Sequence, residues 1–301
     1  MSQNKTYLGP LLVLSGAVLW GTTGTTQALA PEGATPLAIG AMRLLVGGLC
    51  LLAIALFRQA FKPGGYWPTH LVAVTAISMA AYQPFFFGGV AKTGVAVGTV
   101  VGIGSAPIMA GILVFLFRGE RPGKKWLVST LLAITGCYLL FTVKENVTVN
   151  YVGVLMSLGA GLAYASYVVF SKSLLDKNRP EAVIAVVFCI SALLLLPILL
   201  TQPLNWLLEW RGAAVALHLG IVATAIAYFL FSKGLSLVPA ATAVTLTLAE
   251  PLTAATLGVT VLGERLTAPA FAGIGLLLLG ILILSVSSKK RPAHSKVNEK
   301  V

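Results

Sequence analysis

One acidic side chain, Glu250, lies in the middle of a long apolar stretch of the chain. Among the nine acidic residues, it is the one predicted to lie deep inside such a stretch. Burying an ionised carboxylate without a partner is costly, so an acid at this depth indicates a function. Three roles are open: carrying a coupled proton, binding a substrate, or bonding the backbone freed by Pro251.

One basic side chain, Arg43, also lies inside an apolar stretch. It follows Pro36 by about 7 residues, which in a helix corresponds to roughly 10 Å of depth. The guanidinium can reach back to the boundary or bond backbone carbonyls at a helix end. Alternatively it pairs with Glu250 or with a substrate carboxylate, so Arg43 and Glu250 are both candidate coupling residues.

Aromatic and hydroxyl side chains recur at three- or four-residue spacing and at comparable depth in several apolar stretches. This spacing places each pair on one helix face, so we expect an aromatic-walled cavity with scattered hydroxyls. The alternative is that the rings only fill space between helices. Trp20 and Tyr228 are the strongest candidates because their polar groups need partners in an apolar medium. The candidate binding residues are Trp20, Thr23, Tyr82, Phe86, Tyr164, Tyr167, Thr224, Tyr228, Thr247 and Glu250.

Two prolines, Pro107 and Pro251, lie at similar depths in two apolar stretches. Each is roughly 15 to 18 Å from the start of its stretch at 1.5 Å per residue, near the middle. A proline removes a backbone donor and loosens a helix, so both helices are predicted to be broken there. Packing kinks are the alternative. Paired breaks in two halves of a chain point to a central binding site.

The elements that position these residues are ten apolar segments, each long enough or nearly so to cross a hydrocarbon core of about 30 Å. With 57% hydrophobic and 10% charged residues, the composition is that of an integral membrane protein. No remaining stretch is long enough for a soluble domain, so the function lies within the bilayer. The segments are 8–29, 37–57, 70–91, 95–117, 126–143, 152–174, 182–200, 213–234, 241–262 and 269–287.

The first segment ends in Ala-Leu-Ala at 28–30, which resembles a signal-peptidase site. The apolar run before it is long, only Lys5 precedes that run, and Pro31 follows the would-be cut. We therefore predict that this segment is a retained first helix.

The connecting segments carry the basic residues unevenly. If the amino terminus is cytoplasmic, 16 of the 21 Lys and Arg residues fall on that side and four on the other, with Arg43 inside a helix. An excess of Lys and Arg marks the cytoplasmic side. Both termini are therefore predicted to be cytoplasmic. The four on the other side are Lys92, Lys144, Arg211 and Arg265.

The tripeptide Gly-Glu-Arg occurs twice, at 119–121 and 263–265, and the offset of 144 residues aligns further positions in the two halves. We predict two five-helix repeats, residues 1–147 and 148–288, followed by a basic cytoplasmic tail, 289–301. Because five is odd, the second repeat enters the bilayer in the opposite direction, an arrangement typical of secondary transporters. The aligned pairs include Val100 and Val244, Pro107 and Pro251, Leu113 and Leu257, and Gly136 and Gly280.

Several stretches resemble the EamA family of the drug/metabolite transporter superfamily. Residues 249–284, "AEPLTAATLGVTVLGERLTAPAFAGIGLLLLGILIL", are similar to its Glu-Pro helix, Gly-Glu-Arg-Leu turn and glycine-rich last helix. Residues 16–21 and 35–53 resemble its first two helices. The resemblance implies a ten-helix transporter of metabolites, amino acids or drugs. Ala106 stands in the first half where Glu250 stands in the second, so a symmetric two-carboxylate mechanism is not expected.

Other functions fit the sequence less well. The basic residues form no domain that suits nucleic acid, and Cys50, Cys137 and Cys189 have no metal-ligand spacing. Neither a phosphate-binding loop nor the H-E-x-x-H motif occurs, and Ser105 would need His218 as a base from a different helix. We expect no enzymatic activity, no cofactor and no metal. A channel is disfavoured because it would need a continuous polar lining.

The prediction from sequence is an all-α protein with ten transmembrane helices in the inner membrane of a bacterium. We expect a secondary carrier that moves a small organic metabolite by alternating access. Export of an amino acid is the first interpretation, with metabolite uptake or multidrug efflux as alternatives. Its expected partners are that substrate, the lipid bilayer and protons as a candidate coupling ion. A monomer and a homodimer both remain open.

Overall fold

A computed structural model describes residues 4–61, 64–93, 95–140, 150–263 and 267–287. In these ranges the chain forms helices and no strands, and helices overlap all ten predicted segments. The first half contains α1 (Asn4–Ala28), α2 (Pro36–Phe57), α3 (Thr69–Thr93), α4 (Val95–Arg118) and α5 (Lys124–Leu140). The second half begins with α6 (Tyr151–Leu175) and α7 (Pro180–Leu200) and ends with α12 (Ala268–Ser287).

Two stretches of the second half are composite. The first consists of α8 (Trp210–Leu217), a π-helix at His218–Ile226 and α9 (Ala227–Leu237). The second consists of α10 (Ala240–Leu246), a 3-10 turn at Thr247–Ala249 and α11 (Glu250–Leu262). A further 3-10 turn, Asn205–Leu208, precedes α8.

Nine helical stretches among the described residues are long and apolar enough to cross a membrane. The tenth, α5, is 17 residues long in the described part, and the rest of its predicted segment lies outside the described residues. The protein is therefore a multi-pass helical membrane protein. The count of ten spans stays a prediction, and the predicted repeat boundary at 147 and the tail at 289–301 also lie outside the described residues.

Local sequence signals explain where helices begin. Thr35 accepts a hydrogen bond from the Ala38 amide at 3.1 Å, and Pro36 follows it in the first turn of α2. Asn150 accepts one from the Gly153 amide at 3.0 Å at the start of α6. Such caps satisfy amides that have no partner within the helix. Inside the apolar spans the helix itself must satisfy the backbone, because lipid offers no hydrogen bonds.

The break expected at Pro107 is absent, because α4 continues as an α-helix on both sides of this proline. A proline removes one backbone donor, and a helix can absorb that loss without ending when its neighbours hold it. Pro251 is placed differently, in the first turn of α11 directly after the 3-10 turn. The two halves therefore differ at the position where the sequence predicts symmetric breaks.

The repeated Gly-Glu-Arg tripeptide follows a helix end in both halves. Gly119 comes after α4 with φ of 63°, and Gly263 comes after α11 with φ of 72°. Only glycine adopts this left-handed conformation without strain, which explains its place after a helix. Glu120 accepts a hydrogen bond from Arg118 Nε at 2.8 Å. Its counterpart Glu264 and the following Arg265 lie outside the described residues.

Helices of the first half pack mainly against helices of the second half. The pairs are α3 and α4 with α6, α2 with α7, α5 with α12, and α1 with α9 and α11. Small residues allow this close approach. Gly136 on α5 faces the backbone of Gly273 on α12, and Gly280 faces that of Ser129. Under the 144-residue offset, Gly136 corresponds to Gly280 and Ser129 corresponds to Gly273. The second contact is therefore the first one with the two halves exchanged, as a two-fold relation between the halves requires.

The ion pairs between described residues lie at one end of the bundle. Arg118, at the end of α4, pairs with Glu120 and with Asp176, which follows α6. Glu181, in the first turn of α7, lies 3.8 Å from Arg58 and 3.6 Å from Lys233. These pairs tie the ends of helices from both halves together.

Candidate substrate cavity

A small cavity lies inside the bundle where helices of both halves meet. Its free volume is about 40 Å³, whereas pockets that hold small ligands measure about 300 to 1,000 Å³. A ligand the size of an amino acid therefore fits only when the surrounding helices move apart. The cavity is lined by Trp20, Thr23, Arg43, Tyr82, Gly102, Ile103, Tyr164, Tyr228, Thr247 and Glu250.

Aromatic rings form most of one wall. Trp20 packs against Tyr228 at 4.6 Å and Phe231 at 5.1 Å between ring centroids, and its edge meets Tyr164 at 6.2 Å. Phe188 on α7 supports Tyr228 from behind at 4.5 Å. Offset and edge-on pairs of this kind hold rings in place, so the wall is a rigid surface.

Two polar atoms of α1 that line this cavity lack a partner among the described residues. Trp20 Nε1 and Thr23 Oγ1 are both shielded from solvent and make no hydrogen bond to any described residue. Leaving a buried donor unpaired costs about 1 to 3 kcal/mol. Because both side chains line the cavity, these atoms can bond a molecule that occupies it.

Glu250 reaches the cavity because the helix is interrupted immediately before it. The 3-10 turn at Thr247–Ala249 ends at Glu250, which begins α11, and the Thr247 hydroxyl donates to Val244 O at 2.8 Å within this junction. Gly21 lets α1 approach, since a Cβ there would lie 2.8 Å from Glu250 O. The carboxylate makes no hydrogen bond or ion pair with the described residues, so it is available to a ligand or a proton.

Arg43 projects from α2 and is 7% exposed. Its Nε donates to Thr224 Oγ1 at 3.2 Å, and its Nη2 donates to Ala223 O at 3.4 Å. A guanidinium has five N–H donors, so about three remain for another acceptor. Arg43 thus bonds a helix carbonyl and a hydroxyl rather than Glu250, although both charged groups line the same cavity.

Three of the predicted binding residues stand behind the lining. Phe86 stacks on Tyr82 with ring centroids 5.5 Å apart. Tyr167 is 1% exposed and packs against Tyr228 at 5.8 Å. Thr224 is fully buried beneath Arg43. Their contacts place them as supports of lining residues, while the predicted binding roles of all ten residues stay predictions.

Sequence reasoning missed two lining residues and one helix type. Gly102 and Ile103 of α4 line the cavity, and Gly102 belongs to a series of glycines at 94, 98 and 102 that signals close packing. Ile103 carries no signal that separates it from its apolar neighbours. The π-helix at His218–Ile226 also leaves no mark in the composition.

A second, larger cavity lies at the surface between the loops after α2 and α6. It measures about 410 Å³ and is lined by residues such as Trp67, Asn178 and Arg179. Two of its polar side chains are already bonded: Asn178 donates to Tyr66 O at 2.7 Å, and Arg179 donates to Gln59 O at 3.2 Å. Although this cavity is larger, the cavity between the two halves therefore remains the better candidate for the substrate site.

Side chains that could support catalysis or bind a metal lie apart in the described part of the chain. Ser105 donates to Gly102 O at 3.3 Å, whereas His218 contacts Thr22 Oγ1 at 3.0 Å, so these two side chains form no nucleophile–base pair. In the part of the chain that the structure describes, no three His, Cys, Asp or Glu side chains come together as metal ligands. Cys50, Cys137 and Cys189 are free thiols.

The fold and the cavity define a class: a multi-pass helical membrane protein with a polar, aromatic-walled cavity between its two halves. A family model, the EamA-like transporter family, matches residues 7–142 and again 151–286. The chain belongs to this family, which is part of the drug/metabolite transporter superfamily. The protein is therefore a transporter.

Known relatives extend over nearly the whole chain. The transporter YwfM of Bacillus subtilis is 51% identical over 93% of this chain and 95% of its own length. The threonine/homoserine exporter RhtA of Escherichia coli is 28% identical over 96% of this chain and 94% of its own length. A crystal structure that is 19% identical covers 92% of this chain and 96% of its own chain with a TM-score of 0.79, which shows the same fold.

Proposed function

We propose that this protein is a secondary carrier that exports amino acids or related metabolites across the cytoplasmic (inner) membrane. In this proposal ten spans form two inverted halves, and both termini are cytoplasmic. The charge distribution supports the orientation, because 16 of the 21 Lys and Arg residues then lie inside. The exchanged contacts of α5 with α12 support the relation between the halves.

The observation that carries the proposal is a pair of opposite charges in one cavity. With respect to the described residues, Arg43 on α2 keeps unused donors and Glu250 at the start of α11 keeps an unbonded carboxylate. A free amino acid has a carboxylate and an ammonium group, which complement these two side chains. Trp20 Nε1 and Thr23 Oγ1 supply further polar contacts, and the rings accommodate an apolar side chain.

The position of the cavity supports alternating access. Its lining comes from α1 to α4 of the first half and from α6, α9 and the α10–α11 junction of the second half. Because the halves contact each other around it, a rocking motion between them would open it to one side and then to the other. The small volume corresponds to a state closed around the site.

The relative RhtA supports amino acids as the substrate class, because that protein is a threonine/homoserine exporter. Its aligned region covers nearly all of both chains. We therefore choose L-threonine and L-homoserine as probes for this protein. Glu250 is proposed to take up the coupled proton, because its carboxylate is partly buried and unbonded.

The test is transport by purified protein in liposomes. Glu250→Gln keeps the size and hydrogen bonding of the side chain but cannot titrate. We expect it to abolish accumulation of either probe driven by a pH gradient. Exchange of labelled for unlabelled probe should continue but need a higher probe concentration, because the amide oxygen still accepts from the ammonium group without attracting its charge. Glu209→Gln, at an exposed acid, is the control and should transport normally. Undiminished proton-driven accumulation by Glu250→Gln would remove Glu250 from coupling.

The same liposomes separate the alternative functions. Preloaded unlabelled probe accelerates uptake of labelled probe through a carrier but not through a channel. The direction in which the probe moves is compared under an inward and under an outward pH gradient, and this comparison distinguishes export from uptake. If neither amino acid is transported while cationic drugs are, multidrug efflux replaces amino-acid export.

A further inference from the structure

The π-helix of the second half accepts two hydrogen bonds from Arg43, one at Thr224 Oγ1 and one at Ala223 O. In the wide turn, the Thr224 hydroxyl donates to Leu219 O, five residues earlier, at 2.7 Å. A hydroxyl has one donor hydrogen and two acceptor positions, so its oxygen can still accept a hydrogen bond. Arg43 Nε donates that bond, with 3.2 Å between Nε and Oγ1. π-helical turns are rare and occur frequently at functional sites.

Glycine at position 47, one turn after Arg43 on α2, makes room for this contact. A Cβ at Gly47 would lie 2.8 Å from Thr224 Cβ and 3.0 Å from Gly220 O. On the other element, a Cβ at Gly220 would lie 2.5 Å from Val46 Cβ. Two glycines thus let α2 and the π-helix interlock, and Thr224 is fully buried in the space left by Gly47.

The contact determines how the Arg43 guanidinium is oriented. Thr224 and Ala223 O occupy one Nε and one Nη2 hydrogen, which fixes the plane of the group. The remaining donors belong to a side chain that lines the cavity and has no ion-pair partner among the described residues. Glu250 lines the same cavity but is not bonded to Arg43. A buried cation that bonds no anion is costly, so an anionic group of a ligand is its natural complement.

We propose that Thr224 is a positioning residue, which holds Arg43 so that its free N–H groups bind the carboxylate of the transported molecule. This inference rests on the proposed amino-acid substrate. It goes further in two respects: Arg43 binds the carboxylate of the substrate, and the π-helix orients Arg43. The ammonium group of the substrate then lies toward Glu250.

The test compares two substitutions that differ by the hydroxyl. Thr224→Val has nearly the same shape but cannot accept from Arg43, whereas Thr224→Ser retains the acceptor. Affinities for L-threonine and for its carboxamide, which lacks the carboxylate, are measured on the purified full-length protein. We expect Thr224→Val to weaken L-threonine binding about tenfold or more. Its affinity for the carboxamide, and both affinities of Thr224→Ser, should change less than about twofold.

A matched control makes the same chemical change away from the cavity. Thr75 on α3 is fully buried, and its hydroxyl donates to Leu71 O at 2.6 Å within its own helix. Thr75→Val should leave both affinities unchanged. If Thr224→Val weakens binding of L-threonine and of the carboxamide equally, Thr224 has only a packing role. If it changes binding of neither compound, the inference is also overturned.

A second measurement does not depend on the substrate. The Nε–H signal of Arg43 is followed by ¹⁵N NMR and assigned with Arg43→Lys, and its exchange with solvent is compared among variants. Exchange should be faster in Thr224→Val than in the parent protein or Thr224→Ser. If the parent protein binds neither probe, amino-acid export fails, but the exchange rates still decide whether Thr224 orients Arg43. Equal rates in all variants would overturn that role.

Discussion

Trp20 shows how one residue can serve both packing and recognition. Its ring is 4% exposed and contacts Tyr228 and Phe231, whereas its Nε1 has no partner among the described residues. Truncation to alanine would remove the packing, at a cost of about 3 to 5 kcal/mol for a buried large aromatic residue. Alanine therefore cannot separate the two roles, and phenylalanine is the better substitution.

We expect Trp20→Phe to weaken binding of L-threonine or L-homoserine about two- to tenfold, because the N–H donor is lost while most of the ring contact remains. The melting temperature should change little, since no hydrogen bond between described residues is broken. Binding is measured by calorimetry on purified protein. Trp206→Phe is the control, because its Nε1 is also buried and unpartnered but lies outside the cavity. Equal effects of both substitutions would contradict a contact to the ligand.

At the residue scale, the sequence indicates which side chains are unusual but not which atoms remain unbonded. Glu250 and Arg43 stand out because charge inside an apolar run is rare. Phe86 and Tyr167 have the same type, spacing and depth as the lining residues, yet they lie behind the lining. The difference depends on the rotation of each helix against its neighbours, and ring spacing along one helix does not define that rotation.

The helices themselves follow closely from composition. A run of about 20 apolar residues must form a helix in lipid, since no other backbone arrangement satisfies its hydrogen bonds alone. The interruptions do not follow in the same way. Pro107 lies within continuous α4, whereas the π-helix at His218–Ile226 contains no proline at all. A shift in hydrogen-bond register depends on the packing of neighbours such as Gly47, which composition does not encode.

The contact between α5 and α12 gives a prediction for these elements. A Cβ at Gly273 would lie 2.5 Å from Gly136 O and 2.7 Å from Leu140 N, both backbone atoms. Gly273→Ala should therefore destabilise the protein by about 1 to 3 kcal/mol, because the two helices must separate. Gly275→Ala on the same helix has open space and should be neutral or slightly stabilising. Thermal unfolding of both variants in detergent makes the comparison, and equal melting temperatures would contradict this packing.

At the scale of the whole molecule, the two ends of the bundle differ. The ion pairs of the described residues lie at the end predicted to be cytoplasmic, including Arg118 with Asp176. The residue 144 positions after Arg118 is Leu262, so the second half offers no arginine at the matching place. Partly exposed pairs contribute only about 0 to 1 kcal/mol each. They can therefore tie this end together and still open during transport.

The orientation of the halves is a testable property of the whole molecule. Cysteines replacing Glu120 and Glu264, in a chain without Cys50, Cys137 and Cys189, should react with an impermeant maleimide from opposite sides of the membrane. The reason is that an odd number of spans separates the two predicted loops. Labelling is compared in intact cells and inverted vesicles. Reaction of both cysteines from the same side would exclude the inverted arrangement.

The π-helix also limits which changes in chain length the protein can tolerate. A π-turn holds an extra residue compared with an α-turn, so deleting one residue from His218–Ile226 would allow a regular helix to form there. The side chains of α8 and α9 would keep their faces, because the wide turn accommodates one residue more than an α-turn without turning the flanking helices. The turn in which Thr224 donates to Leu219 O, five residues earlier, would be lost, and with it the contact that holds Arg43. A single-residue deletion here would therefore remove the Arg43 contact while Tyr228 and Phe231 stay in place and the stretch remains a membrane-spanning helix.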